Sequence, residues 1–227
     1  MGVIDKRIVM AERHLKVMKN KYAAETKLSI EKSKIYGPKD FSKKSDMKFV
    51  HFANLSFIKQ DTPHAANDFK STYPHAKTTV LNFADYLIPG GLYLKGGAAA
   101  QEEVLCHESN LYLVLTNFIN YYQWNRAHVN HHLYKNGAIY SSDIIFTNLD
   151  STLVNKFDVI TCAAPDYNSA NFDDISYDTA CEVLNNRMYF VKAIAEENHV
   201  ENLILGAWGA GAFGFRRTEV AKMWYQV

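Results

Sequence analysis

The stretch from Thr78 to Leu115 constrains this chain more than any other part. It holds an apolar run, a loop almost bare of side chains, and an amphipathic segment that opens on three polar residues. Thr79-Val80-Leu81 is β-branched and apolar, fit for a buried strand, and it carries the backbone to a polar switch at Asn82. Pro89-Gly90-Gly91 breaks regular structure, and from Gly96 and Gly97 through Ala98 to Ala100 no side chain exceeds a methyl group. A loop stripped of bulk brings its N–H groups within hydrogen-bonding distance of a ligand, and helix N-termini attract anions. Gln101-Glu102-Glu103 stands where such a ligand would end. The pattern predicts a site for a phosphate-bearing small molecule with acid/base chemistry attached.

A second small-residue loop strengthens that reading. Asn202-Leu203-Ile204-Leu205 reads as a short buried strand and runs directly into Gly206-Ala207-Trp208-Gly209-Ala210-Gly211-Ala212-Phe213-Gly214, with a helix from about Arg217. Glycine loops after strands are common in α/β proteins, so this one alone says little. Two of them, each following a strand, gather at the carboxyl edge of a doubly wound sheet, where ligands bind.

The remaining segments fit that frame. Ile4, Ile8, Ala11, Leu15, Met18 and Tyr22 recur at helical spacing with Arg7, Arg13, Lys16 and Lys19 turned outward, which predicts an amphipathic first helix. Residues 37–48 form a Lys-rich polar loop, Phe49–Ala53 a weak strand, and the chain to Thr72 a polar loop. From Gln101 a single helix is expected, with Val104, Leu111, Leu115, Phe118 and Tyr122 on one face. Further strands are expected at 138–145 and 157–165, and a helix over 177–198 with Ala180, Leu184, Met188, Val191 and Ala195 inward. Strand and helix alternate, so the class is α/β with a mixed or mainly parallel sheet.

Composition excludes several alternatives. The 227 residues suffice for one well-packed domain and are short for two. A net charge of +1 argues against bulk electrostatic capture of nucleic acid or acidic membrane. Cys106, Cys162 and Cys181 have no metal-like spacing and read as reduced thiols of a cytoplasmic protein. His128, His131 and His132 match no familiar ligand spacing, so Tyr121–Tyr134 reads as a surface or interdomain aromatic cluster and no metal is expected. No stretch approaches a membrane span, and Asp5, Lys6 and Arg7 come too early for a signal peptide.

Gly90-Gly91-Leu92, eight residues, then Gln101-Glu102-Glu103 resembles the signature of the microbial poly(ADP-ribose) glycohydrolases, which are elaborated macrodomains. Other segments resemble the same family: YAAETKLSIEKSKIYG before the core, IYS-x-D and VIT-x-AAP on two strands, and GAWGAGAFG as its diphosphate loop. Leu92 stands where the family usually has a third glycine, Ala210 replaces a usual cysteine, and Phe215 takes a position where a small polar residue is common. Members usually continue past the last helix into a further strand and helix, whereas this chain stops at Val227, as a minimal protein or a truncated one would.

The resemblance implies a single macrodomain-like three-layer α/β/α unit over residues 1–227, with an N-terminal helical extension over about residues 1–45. It implies hydrolysis of ADP-ribose glycosidic linkages by a monomer without cofactor, acting on ADP-ribose polymer or an ADP-ribosylated macromolecule, and on nucleic acid only where that carries ADP-ribose. The alternative is a module that binds or sequesters ADP-ribose-like nucleotides without turnover. Cleavage of a ribose–ribose bond passes through an oxocarbenium-like state and needs a proton for the departing oxygen, then a base for water. By the resemblance, Glu103 is that acid/base and Glu102 anchors the sugar hydroxyls, while Gln101 holds loop and ligand. Asn82, Gly90, Gly91, Gly96, Gly97, Ala98, Gly206, Trp208, Gly209, Ala210, Gly211, Ala212 and Phe213 complete the binding surface, Phe213 packing on the distal ribose. A helix N-terminus lowers a glutamate's pKa, so Glu103 is expected to be protonated mainly in the complex, helped by the diphosphate, Glu102 and desolvation.

Overall fold

The structure, a computed structural model, describes residues 3–41, 53–96, 100–148 and 150–227. The strand expected at Phe49–Ala53, most of the Lys-rich loop, and Gly97 and Ala98 lie outside the described residues, apart from Ala53, which is in no regular element.

Five strands form one mixed sheet: β1 (Lys34–Tyr36), β2 (Thr78–Phe83), β3 (Ala138–Thr147), β4 (Leu153–Cys162) and β5 (Asn202–Ile204), in the order β1-β3-β4-β2-β5. The pairs β1/β3 and β3/β4 are antiparallel, whereas β2/β4 and β2/β5 are parallel. The carboxyl ends of β2, β4 and β5 therefore share one edge, as the sequence of strands and loops requires. β2 is buried along five of its six residues, which its near-continuous apolar run demands of a strand covered on both faces.

Helices cover both faces. One face holds α1 (Val3–Lys21), α3 (Thr62–Thr72), α4 (Gln101–His107), α5 (Leu111–Leu115) and α6 (Ile119–Ala127), packed around Val80, Leu105, Val114, Ile139, Ile144 and Val159. The other holds α8 (Tyr177–Glu197) and α9 (Arg217–Gln226), packed around Leu81, Ile160, Leu184, Met188, Val191 and Trp208. α2 (Ala23–Lys32) lies against β3, and the short α7 (Tyr167–Ala170) follows β4. No helix of the described residues is long and apolar enough to cross a membrane.

Three expectations are corrected. The polar stretch to Thr72 contains α3, whose Asp61 cap accepts from the His64 amide and whose buried residues are only Pro63, Ala65 and Ala66. The single helix from Gln101 is three, because the chain turns at Ser109-Asn110 to bond the sheet: Asn110 Oδ1 accepts from the Ile145 amide at 2.9 Å and its Nδ2 donates to Thr26. In the supposed surface aromatic cluster, Tyr121, Tyr122 and Tyr134 are buried, and Tyr134 stacks on Tyr86 at 3.5 Å. On the outside, His128 stacks on Trp124 and His131 pairs with Asp173. In α1, Ala11 and Met18 are buried as expected, as is Tyr22 just beyond its end, while Ile4 is 60% exposed.

Candidate active site

The site forms where β2 leaves the sheet. Asn82, the last fully buried residue of the strand, donates through Nδ2 to Glu102 Oε1 at 3.1 Å and to Thr161 Oγ1 at 3.3 Å. Gln101 reaches back from the start of α4 to bond the same strand end: its Oε1 accepts from the Phe83 amide at 2.9 Å, and its Nε2 donates to Leu81 O at 2.8 Å and to Thr62 Oγ1. Both ends of that amide are engaged by protein, so Gln101 fixes the first turn of α4.

Glu102 and Glu103 turn under the loop that follows β2. The Asp85 amide donates to Glu102 Oε2 at 2.7 Å, and Asp85 Oδ1 accepts from the amides of Leu87 and Ile88, closing the turn that leads to Pro89. Glu103 Oε1 accepts from the Leu92 amide at 2.9 Å. Gly91 has φ +54°, and a Cβ built there would stand 2.6 Å from Glu103 Oε1 and 3.3 Å from Glu102 Oε2. Only glycine fits at that position, because the chain must be both left-handed and pressed onto two carboxylates.

Both acids are buried, Glu103 at 8% exposed. Glu102 is 3% exposed, and desolvation, opposed by the Asp85 and Asn82 hydrogen bonds, pushes its pKa up to about 8. Burial thus favours its protonated form relative to water. Asn82 Oδ1 is buried with no hydrogen-bond partner among the described residues.

The second loop lies over the carboxyl end of β4. A Cβ at Gly206 would lie 2.7 Å from the ring of Phe83, so the second loop starts against the last residue of β2. Trp208, expected among the ligand-binding residues, is completely buried; its Nε1 donates to Cys162 O at 3.1 Å and its ring stacks on Trp224. That side chain anchors the loop and has no surface left for a ligand. Gly209 and Phe215 are buried against Ala164, whereas Ala207, Gly211 and Ala212 are exposed along the rim and Ala210 is half-buried. Gly211, at φ +91°, has open space around it. Phe213 is half-buried against the core, and its carbonyl accepts from the amides of Tyr167 and Asn168, while Asn168 Nδ2 donates to Ala212 O at 2.8 Å.

Several of these supports were not read from the sequence. Asp85 carries a signal, since an aspartate just before Pro89-Gly90 favours a side-chain-capped turn. Tyr93, Asn168, Thr62 and Arg187 carry none. Arg187, from α8, is 1% exposed and bonds Ala163 O, Leu133 O and the Tyr86 hydroxyl, which itself donates to Ala163 O. Burial lowers its pKa to about 9, and it remains the charged clamp that holds residues 84–88 and 129–134 to the end of β4. Beside the glutamates, Tyr93 hydroxyl donates to Ala11 O at 3.0 Å and lies 2.9 Å from His14 Nδ1, tying the loop after Gly91 to α1.

Known proteins share this architecture. A model of the microbial-type PARG catalytic domain matches residues 7–148 of the chain. The poly(ADP-ribose) glycohydrolase of Thermomonospora curvata is similar at 24% identity with a TM-score of 0.83, over 96% of this chain and 85% of that one; the same figures hold for its complex with the inhibitor ADP-HPD. The poly(ADP-ribose) glycohydrolase of Deinococcus radiodurans in complex with ADP-ribose is similar at 26% identity with a TM-score of 0.78, over 88% and 83% of the two chains. No curated protein sequence matches the chain.

Proposed function

The chain belongs to the microbial-type PARG catalytic-domain family, and on that premise we propose that it releases ADP-ribose by hydrolysing the glycosidic linkage of an ADP-ribose polymer or an ADP-ribosylated macromolecule. The observation that supports this most is the seating of Glu102 and Glu103 beneath Gly91 and Leu92, at the edge where the second glycine loop also arrives. Proton delivery needs a carboxyl group held at a fixed place against the scissile oxygen. Glu103 is that group in this reading, fixed by the Leu92 amide. It protonates the departing ribose oxygen and then, as carboxylate, draws the proton from the attacking water. Glu102, buried beside it, holds the sugar hydroxyls.

The exposed backbone of Gly211 and Ala212 accepts the diphosphate, and the half-buried Phe213 ring borders the distal ribose. The three free thiols support a reducing, cytoplasmic setting, with the chain acting as a monomer. The test is incubation with poly(ADP-ribose) and, separately, with mono-ADP-ribosylated protein, following free ADP-ribose. Release from either substrate is expected. Tight binding of ADP-ribose without release from any acceptor would replace the hydrolase with a sequestering module.

A further inference from the structure

The sheet has a second concavity, at the end opposite the glutamates. It is a cavity of about 280 Å³ lined by Lys32, Lys70, Lys77 and Lys156 with Asp143, Asp158, Thr78 and Ser142. Thr78 begins β2 and Asn82 stands near its end, so roughly 13 Å of one strand separates this cavity from the acid pair.

We propose that this cavity is a binding site for a diphosphate group. Its charges are unevenly spent. Asp158 is 7% exposed and turned inward: it accepts from the Tyr140 hydroxyl, from the Asp143 amide at 2.8 Å, and from Lys77 at 3.2 Å. Asp143 is matched by Lys32 at 2.8 Å. Lys70 and Lys156 have no carboxylate. Lys70 donates to Ala76 O at 3.0 Å, and the Lys156 ammonium makes no hydrogen bond or ion pair among the described residues. Four ammonium groups against two carboxylates leave a charge of +2, which a diphosphate diester with one charge on each phosphate neutralises. An ammonium has three donors, so Lys70 and Lys77 keep hydrogen-bonding capacity beyond their carbonyl contacts, and the Thr78 and Ser142 side chains add hydroxyls.

The backbone is also built for this wall. Between the pairs Ser141/Val159 and Ile144/Phe157, β3 has two residues where β4 has one, and the second of them, Asp143, takes φ +56°. A left-handed aspartate at a bulge is a strained arrangement, held here by the Asp158 carboxylate on its amide and by Ser29 Oγ on its carbonyl. The bulge places Ser142 and Asp143 on the cavity wall, where a regular strand would send one of them to the opposite face.

Two sources carry diphosphate: the diesters repeated along an ADP-ribose polymer, with one charge on each phosphate, and a free nucleoside diphosphate or inorganic diphosphate, whose terminal phosphates add charge. The test is calorimetric titration of the full chain with inorganic diphosphate while ADP-ribose saturates the glutamate cleft. One-to-one binding is expected, weakened at least ten-fold in K70A/K156A, with ADP-ribose affinity and melting temperature unchanged. No diphosphate heat, or equal affinity in wild type and variant, overturns the site. If K70A/K156A is destabilised, the exposed-strand variant K156E decides, with the same loss expected. If ADP-ribose fails to bind the cleft, the titration is run without it, so a failed cleft reading does not hide the lysine-dependent site.

Turnover separates the sources. A higher KM of K70A/K156A on long polymer, with the ADP-ribose dimer unaffected, identifies polymer diphosphate. An unchanged KM on both, alongside lost diphosphate binding, identifies the free diphosphate.

Discussion

The amide of Leu92 donates to Oε1 of Glu103 across 2.9 Å, so the residue that departs most visibly from a glycine-rich loop is the one that positions the proposed acid. Its φ of −96° is ordinary for any L-residue. The side chain is 40% exposed and leaves the backbone contact intact. Leu92→Gly should therefore neither tighten ADP-ribose binding nor raise kcat. It should cost about 0.4–1 kcal/mol of stability through added freedom of the unfolded chain. Thermal melting and steady-state kinetics check this, and a rise in kcat would show that leucine impairs the loop.

Glu103→Gln retains size and hydrogen-bonding capacity and removes the titratable proton. The rate of ADP-ribose release should fall roughly 10²–10⁴-fold. ADP-ribose affinity should change little, since neither glycine loop is altered. Glu108→Gln, at the carboxyl end of α4 and away from the Gly91–Leu92 seat, is the control that should leave both unchanged. Near-normal turnover by Glu103→Gln would move the acid/base role to another group.

Glu102 makes stability depend on pH with a definite sign. Its folded pKa of about 8 lies above the ordinary 4.5, so folding takes up a proton between those values. Its contribution is fully present below pH 4.5 and is lost as pH rises through 8, at up to about 1.4 kcal/mol per pH unit. Glu102→Gln should flatten the fall in melting temperature between pH 5 and 8. A profile as steep in the variant as in wild type would place the titrating group elsewhere.

His14 has the opposite sign. Burial, with His107 nearby, lowers its pKa from 6.5 to about 4, and its Nε2 is buried without a partner. The stability contributed by the neutral ring is present above pH 6.5 and lost as pH falls through 4. Opening in α1, read as hydrogen exchange relative to the intrinsic rate at each pH, should therefore accelerate over that interval, and His14→Phe should remove the acceleration. Equal acceleration in both proteins would clear His14 of the effect.

The parts of the site that were legible in the sequence are those where one residue type is required. Gly91 must be left-handed and lie against two carboxylates, and Gln101-Glu102-Glu103 must begin a helix at the end of a buried strand, so both leave compositional marks. The illegible parts depend on partners far along the chain. α3 buries only proline and alanine, which give no apolar period. The break after α4 comes from Asn110 bonding Ile145, a contact between residues 35 apart in sequence. Trp208 sits in a loop of otherwise ligand-sized residues, and its burial follows from Cys162 O and Trp224, which local pattern does not register.

The contact between α1 and the loop after Gly91 has a consequence for synthesis. Val3–Lys21 leaves the ribosome about eighty residues before its seat, since His14 and Ala11 meet Tyr93 at separations of 79 and 82, and Gly96 presses on Ile4. This helix must wait, with part of its apolar stripe uncovered, until the strand and loop that receive it have been translated. Closing so long a loop is slow relative to local pairing. A nascent chain stalled before Tyr93 therefore holds this helical segment with no seat for it.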